Sequence, residues 1–240
     1  KGSIQYEDSW EDRYGRVRNF LTSKFRIDFP NKKPMVGAII TDITERKRNE
    51  EILNIQYNIA YAMATVKTFE EVIEVVRVEL GRLVDTTYFY VALYDEKTGM
   101  LHAVNEKDEK DNLPYWPAEK SLTGYVIKNN KTMLIDNELF YKLVEEGVVD
   151  IIGEPSEIWL GVPIRINEKP IGAICVQSYE REDLYDERGA AVLEMIANQL
   201  SGYLERQMAI DNLKESEDKF RSFAELAPFE SAALVVIVFL

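Results

Sequence analysis

Few side chains in this sequence are equipped for covalent or acid–base chemistry. Among 240 residues there is one Cys and one His, Cys175 and His102. A zinc site therefore has no ligand spacing to draw on, a Cys/His dyad would need that one pair to meet, and a disulfide within the chain is impossible. A thiolate beside a cation would make Cys175 a redox switch, but its place in an apolar strand predicts a buried, inert thiol. His102, alone on a short edge strand, reads as a solvated or hydrogen-bonded side chain. The carboxylate pairs Glu145-Glu146 and Glu182-Asp183 lie in polar segments with no second catalytic group at a readable spacing. They read as surface charge, with Asp183 capping the helix that follows. No Gly-rich phosphate loop follows a strand. No catalytic residue and no metal ligand is assigned, and the sequence requires no cofactor.

What the residue types do offer is a binding surface. Successive strand residues point to opposite sides of a sheet. Phe89, Val91, Leu93, Leu160, Val162, Ile164, Ile174 and Val176 then form one uniformly apolar face, suited to long helices. The other face carries Tyr88, Tyr90 and Ala92 on one strand, Trp159 and Gly161 on a second, and Ala173, Cys175 and Gln177 on a third. Large rings beside small residues leave a concavity in which a few polar atoms orient a small molecule, or else they interdigitate as a minor core.

The elements that must position this face are legible from periodicity. Ser3 to Trp10, Arg16 to Ile27 and Met35 to Ile43 read as an antiparallel meander, with turns at Gly15 and at Asp28-Phe29-Pro30-Asn31. Three strands with an apolar face need a covering layer. Nothing ahead of them supplies it, so the chain is expected to begin inside a domain. A helix follows from Thr44, with Ile52, Ile55, Ile59, Met63 and Val66 as its stripe. Thr68-Phe69-Glu70-Glu71 is a capping box opening a second helix to about Val84. Strands are expected at Thr87 to Tyr94, Met100 to Asn105 and Met133 to Ile135, with a polar loop from Glu106 to Lys120. Short helices are expected at Ser121 to Lys128 and Leu139 to Glu146, and a hairpin at Glu157 to Ile166 and Pro170 to Ser178. A long last helix carries Leu193, Ile196, Leu200, Tyr203, Ile210 and Leu213.

Composition bounds the partners. With 46% apolar and 30% charged residues the chain is globular, and a net charge of −13 repels phosphate backbones and anionic lipid. Nucleic acid and direct membrane contact are not expected. The longest apolar run, Ala232 to Leu240, is about half of the ~20 residues a spanning helix needs. The single Cys suits a reducing compartment, the cytoplasm. Ile52, Ile59, Met63, Leu193, Leu200, Tyr203 and Ile210 exceed what one side of a sheet covers, which predicts a parallel homodimer through the terminal helices.

Five segments, in order and spacing, resemble a GAF domain over about residues 50–206. They are Ser121 to Ile127, Ile135-Asp136-Asn137, Trp159 to Ile164, Ile171 to Ile174 and Ile196 to Leu200. The resemblance implies an α+β fold, a GAF-type antiparallel sheet with terminal helices on one face and short helices over a pocket on the other. The pocket would lie under the helices containing Tyr125 and Leu139, with Tyr88, Tyr90, Ala92, Tyr125, Trp159, Gly161, Ala173, Cys175 and Gln177 as candidate ligand-binding residues. The flanks resemble PAS domains. Residues 1–43 are similar to the C-terminal strands of one, 44–66 to a linker helix entering the GAF domain, and 207–240 to a linker helix and the start of a second. That order resembles the sensory region of a signalling protein, most often a histidine kinase, whose neighbouring PAS and output domains would be partners. The phytochrome-type bilin attachment sequence and the full cyclic-nucleotide pattern of phosphodiesterase GAF domains are absent. The sulfoxide-reductase chemistry built on some GAF folds needs several cysteines. The expected function is sensing of an unidentified small molecule, relay through dimeric helices, or both. The alternative is a ligand-free dimerisation spacer. At the ends, Ala232 to Leu240 is expected to pair with the edge of Met35 to Ile43.

Overall fold

A computed structural model describes residues 3–13, 15–30, 32–107, 110 and 113–226. The tail expected to pair with the meander, 232–240, lies outside the described residues, as does 227–231. The chain divides into two compact units, residues 1–80 and 81–240.

In the first unit, β1 (Ser3–Glu11), β2 (Val17–Ile27) and β3 (Met35–Asp42) form the expected antiparallel meander, in the order β1-β2-β3. Its register runs from Ser3 opposite Phe25 to Ile27 opposite Met35. Gly15, at φ +74°, closes the first turn by donating its N–H to the Asp12 carbonyl at 2.9 Å. Ile4, Val36, Ile39 and Ile40 remain exposed. Helix α1 (Thr44–Thr65) follows, and Ile55, Ile59, Ala62 and Met63 along it are buried. The capping box forms as read: Glu71 N–H donates to Thr68 Oγ1, and Thr68 N–H returns to Glu71 Oε2, each at 3.2 Å. Helix α2 (Phe69–Leu80) stops short of Val84, at Gly81, a residue that disfavours helix continuation.

The second unit is a six-stranded antiparallel sheet in the order β6-β5-β4-β9-β8-β7. The strands are β4 (Tyr88–Asp95), β5 (Met100–Lys107), β6 (Tyr115–Pro117), β7 (Met133–Asp136), β8 (Ile158–Ile166) and β9 (Lys169–Ser178). Helices α3 (Leu122–Asn129) and α4 (Asn137–Glu145) flank β7, and α5 (Glu187–Leu226) closes the unit. The β8–β9 hairpin turns tightly on Asn167 and Glu168, both at positive φ (48° and 64°), the geometry that matches strand twist. One face of the sheet is the apolar set expected: Phe89, Val91, Leu160, Val162, Ile164, Ile174 and Val176 have no solvent exposure. Helix α5 packs on β8 and β9 and buries Leu193, Ile196, Ala197 and Leu200. Each of the two leucines and the isoleucine contributes about 1.5–3 kcal/mol when removed from water.

The structure corrects the sequence reading in several places. The segment read as a polar loop contains β6, an edge strand pairing Leu101 with Trp116; its Pro117 is the residue that hides a strand from pattern reading. Asp186 opens α5, accepting the N–H groups of Arg188 and Gly189 at 3.0 and 2.9 Å, whereas Asp183 pairs with Arg181. The expected dimer stripe is largely buried: Ile59, Met63, Leu193, Leu200 and Tyr203 are covered, Ile52 is half-buried and Ile210 is exposed. Among the described residues no helix is long and apolar enough to cross a membrane.

Candidate functional site

Two rows of side chains cross the sheet face opposite α5. Register places Tyr88 beside Gln177, Gln177 beside Trp159 and Trp159 beside Ile135; it also places Tyr90 beside Cys175 and Cys175 beside Gly161. The Trp159 indole lies over Gly161, where a Cβ would sit 2.1 Å from its ring. That glycine is what lets the ring lie flat on the strand. From there the indole N–H donates to the Tyr90 hydroxyl at 3.0 Å, and that hydroxyl is hydrogen-bonded to Thr123 Oγ1 at 3.1 Å. One polar chain thus ties β8, β4 and the first turn of α3. Burial pushes the Tyr90 phenol well above its ordinary range, with the neighbouring Cys175 adding to the shift. Burial also pushes the Cys175 thiol up to about 12, so it is protonated and inert.

Above this network lies a cavity of about 70 Å³. The sheet contributes Tyr90, Trp159, Gln177, Trp116 and Ile135, the first turn of α3 contributes Leu122 and Thr123, and α4 contributes Phe140. Leu113 and the segment carrying Asp150, Ile152, Glu154, Pro155 and Ser156 complete the wall. The Trp116 ring meets Tyr90 edge-on, 5.8 Å between centroids. The N-terminus of α3 is held in place locally. Ser121 Oγ accepts the Gly124 N–H and donates to the Ala118 carbonyl, both at 3.0 Å.

Of the residues expected to bind a ligand, Tyr90, Trp159 and Gln177 line the cavity. Ala92, Ala173 and Cys175 are buried in the core cluster beside it, and Gly161 lies beneath the indole. Tyr88 and Tyr125 are placed elsewhere. Tyr88 packs edge-on against Tyr179 at 4.8 Å, with the Lys110 ammonium over both rings. Tyr125 shares a stripe of α3 with Ser121, Gly124 and Lys128 and lines a different cleft, because only the first turn of the helix meets the cavity. On α4 it is Phe140 that turns inward, while Leu139 is exposed. Trp116 and the 150–156 segment were missed. The one available signal was the aromatic pair Tyr115-Trp116 inside an otherwise polar stretch.

The far end of α3 connects to α5. Asn130 ends the helix in the left-handed region at φ 51°. The Arg165 guanidinium donates to Asn130 Oδ1 at 2.6 Å and to its carbonyl at 3.2 Å, and the Arg165 backbone N–H donates to Ser201 Oγ at 3.0 Å. Asn167 N–H donates to Glu205 at 2.8 Å, and Thr132 is hydrogen-bonded to Glu194. One arginine therefore contacts both the helix roofing the cavity and the longest helix of the chain.

A family model for the GAF domain matches residues 66–205. The chain belongs to the GAF family. Solved GAF structures agree in fold. The GAF domain of a phosphoenolpyruvate-protein phosphotransferase from Coxiella burnetii superposes with a TM-score of 0.56 at 16% identity, covering 68% of this chain and 98% of that one. Free methionine-R-sulfoxide reductase from Neisseria meningitidis, in complex with its substrate, gives 0.53 at 14%, over 65% and 91%. Residues 122 to 287 of a methyl-accepting chemotaxis protein give 0.51 at 15%, over 64% and 97%. At these identities the likeness is one of fold. No curated protein sequence matches. The GAF domain is a sensory and regulatory domain of signalling proteins. Here its antiparallel sheet has α5 on one face and the aromatic cavity on the other.

Proposed function

We propose that this GAF segment senses a small molecule in the Tyr90–Trp159 cavity and relays its occupancy through α5 within a multidomain signalling protein of the histidine kinase type. The observation that carries this reading is the continuity between cavity and helix. Thr123 of the cavity wall and Asn130 of the Arg165 contact are the two ends of one short helix. A ligand that favours one placement of α3 over another would thereby shift the population of α5. Residues 1–43 and 207–240 are assigned to flanking PAS domains, the first supported by the β1-β2-β3 meander. The segment is regulatory, without an enzymatic step of its own, and cytoplasmic. A ligand-free spacer is the second reading, favoured by the 2% exposure of Trp159, which already fills much of the face.

The relay acts in a homodimer. On α1, Leu53, Tyr57, Ala60 and Ala64 are exposed at alternating spacings of four and three residues, the seam of a coiled coil. Along α5, residues 205–219 are exposed all round, and Met208, Ile210 and Leu213 among them present apolar surface that a second helix would cover. With 40 residues α5 spans about 60 Å, long enough to carry a shift out of the sheet. Native mass spectrometry of the 240-residue chain tests both parts. The expected spectrum shows a dimer carrying a small-molecule adduct. Tyr57→Glu should yield monomer, and Leu122→Trp, which fills the cavity, should lose the adduct and keep the dimer. A wild-type monomer, or a dimer without adduct after gentle purification, overturns the corresponding part.

A further inference from the structure

The tip of the β8–β9 hairpin holds α5 at two points one turn apart. It donates two backbone N–H groups, that of Arg165 to Ser201 Oγ at 3.0 Å and that of Asn167 to Glu205 Oε1 at 2.8 Å. The same tip holds the end of α3. The Arg165 guanidinium reaches Asn130, and the Asn130 side-chain amide donates to the Glu168 carbonyl at 3.3 Å. A register shift between Ile164 and Arg165 separates the tip from the regular ladder, a break at which a strand bends.

Between the two points of contact, α5 is built to bend. Gly202 is its only glycine beyond the first turn, and an added Cβ there would meet nothing within 4 Å, so no neighbour braces the backbone. Ser201 beside it donates its hydroxyl to the Ala197 carbonyl at 2.8 Å. A serine bonded one turn back commonly bends a helix, and sharp kinks concentrate at Gly/Ser pairs. Burial changes at the same place: Leu193, Ile196, Leu200 and Tyr203 are covered, whereas residues 205–219 are exposed. A push that tilted all of α5 would drag those close-packed side chains across the sheet, whereas a bend at Gly202 leaves them seated.

Resting on the relay proposed above, we infer that Ser201-Gly202 is the hinge of α5, worked by the β8–β9 hairpin tip, and that the helix beyond it swings while the part before it stays fixed to the sheet. Residues 204–226 span about 35 Å, so a kink of about 20° carries the far end about 12 Å and Ser216 about 7 Å.

Spin-label distances in the 240-residue chain test this. Lys97 and Lys131 are exposed on either side of β8 and β9, so Lys97→Cys and Lys131→Cys, each combined with Ser216→Cys, report the swing, and the buried Cys175 stays in place. With unlabelled chain in excess, so that each labelled copy is measured alone, the distances should be spread over about 7 Å. Gly202→Ala should narrow them. Asn212→Ala, a comparable gain in helix propensity beyond the hinge, should leave them broad. Leu122→Trp should shift the mean when Gly202 is present and not in Gly202→Ala. Wild-type distances as narrow as those of Gly202→Ala, or an equal narrowing by Asn212→Ala, overturn the hinge. If Leu122→Trp changes amide protection over residues 194–205 and leaves the Ser216 distances unmoved, the hinge is overturned and the relay stands. If Gly202→Ala narrows the distances but Leu122→Trp moves neither distances nor protection, the hinge stands and the relay is overturned.

Discussion

Trp159→Ala is expected to lower stability by about 3–5 kcal/mol, the range for emptying a buried tryptophan site, and the melting temperature by on the order of 10 °C. Trp159 is both wall and core. It lines the cavity, yet only 2% of it is exposed and its indole covers Gly161. Truncation therefore removes packing on three strands and leaves the Tyr90 hydroxyl without its indole donor. Tyr90→Phe provides the comparison, because it keeps the ring and deletes only the oxygen shared by Trp159 and Thr123. That change should cost about 1–3 kcal/mol, the penalty for a buried donor left unmade. Thermal denaturation of both variants checks the order. A loss below about 1 kcal/mol for Trp159→Ala would mean that the indole is a loose lid over open space rather than part of the fold.

Gly124→Ala tests the opposite end of the network, and propensity and packing give opposite signs. In an unconstrained helix the change stabilises by roughly 1 kcal/mol. At this position an added Cβ would lie 1.8 Å from the Ala118 carbonyl oxygen and 2.6 Å from its carbon, and backbone atoms have no rotamer to yield. That same carbonyl accepts the Ser121 N–H and hydroxyl, so moving it also undoes the cap of α3. Overpacking and cap loss together should exceed the propensity gain, for a net loss of about 2–4 kcal/mol. Gly202→Ala is the control. That residue lies in α5 with nothing within 4 Å of the added atom, and the substitution should stabilise by about 0.5–1 kcal/mol. Urea midpoints for the pair should therefore move in opposite directions.

Much of the sheet was legible in the sequence because its two faces differ in kind. Phe89, Val91, Leu160 and Val162 alternate with Tyr90, Ala92, Trp159 and Gly161, and a strict period of two assigns each to a side without any knowledge of partners. The same argument found Tyr90, Trp159 and Gln177 at the cavity. It placed Tyr88 beside them, although its ring is drawn to Tyr179 and Lys110 instead. Residues contributed by irregular segments were out of reach. Asp150, Glu154 and Ser156 carry no periodicity, and their position follows from contacts such as the Asp150 N–H donated to the Lys120 carbonyl at 2.7 Å. Helix registers were the other blind spot. Ile55, Ile59 and Met63 form a true stripe, but hydrophobic spacing cannot say whether a stripe faces the chain's own interior or a second copy. Here they are buried, and it is Leu53 and Tyr57 that are exposed.

Amide hydrogen exchange in α5 bears most directly on the proposed coupling between cavity and helix. With Arg165 present, the cavity-filling change Leu122→Trp should alter the exchange of amides around Ser201, because α3 moves against the Asn130–Arg165–Ser201 contacts. The expected result is a clear change of protection over residues 194–205 in Leu122→Trp, abolished when Arg165→Ala is added. Protection in α5 that is the same in the wild type and in Leu122→Trp, or a change that survives the loss of the Arg165 guanidinium, would contradict a relay from the cavity through this arginine.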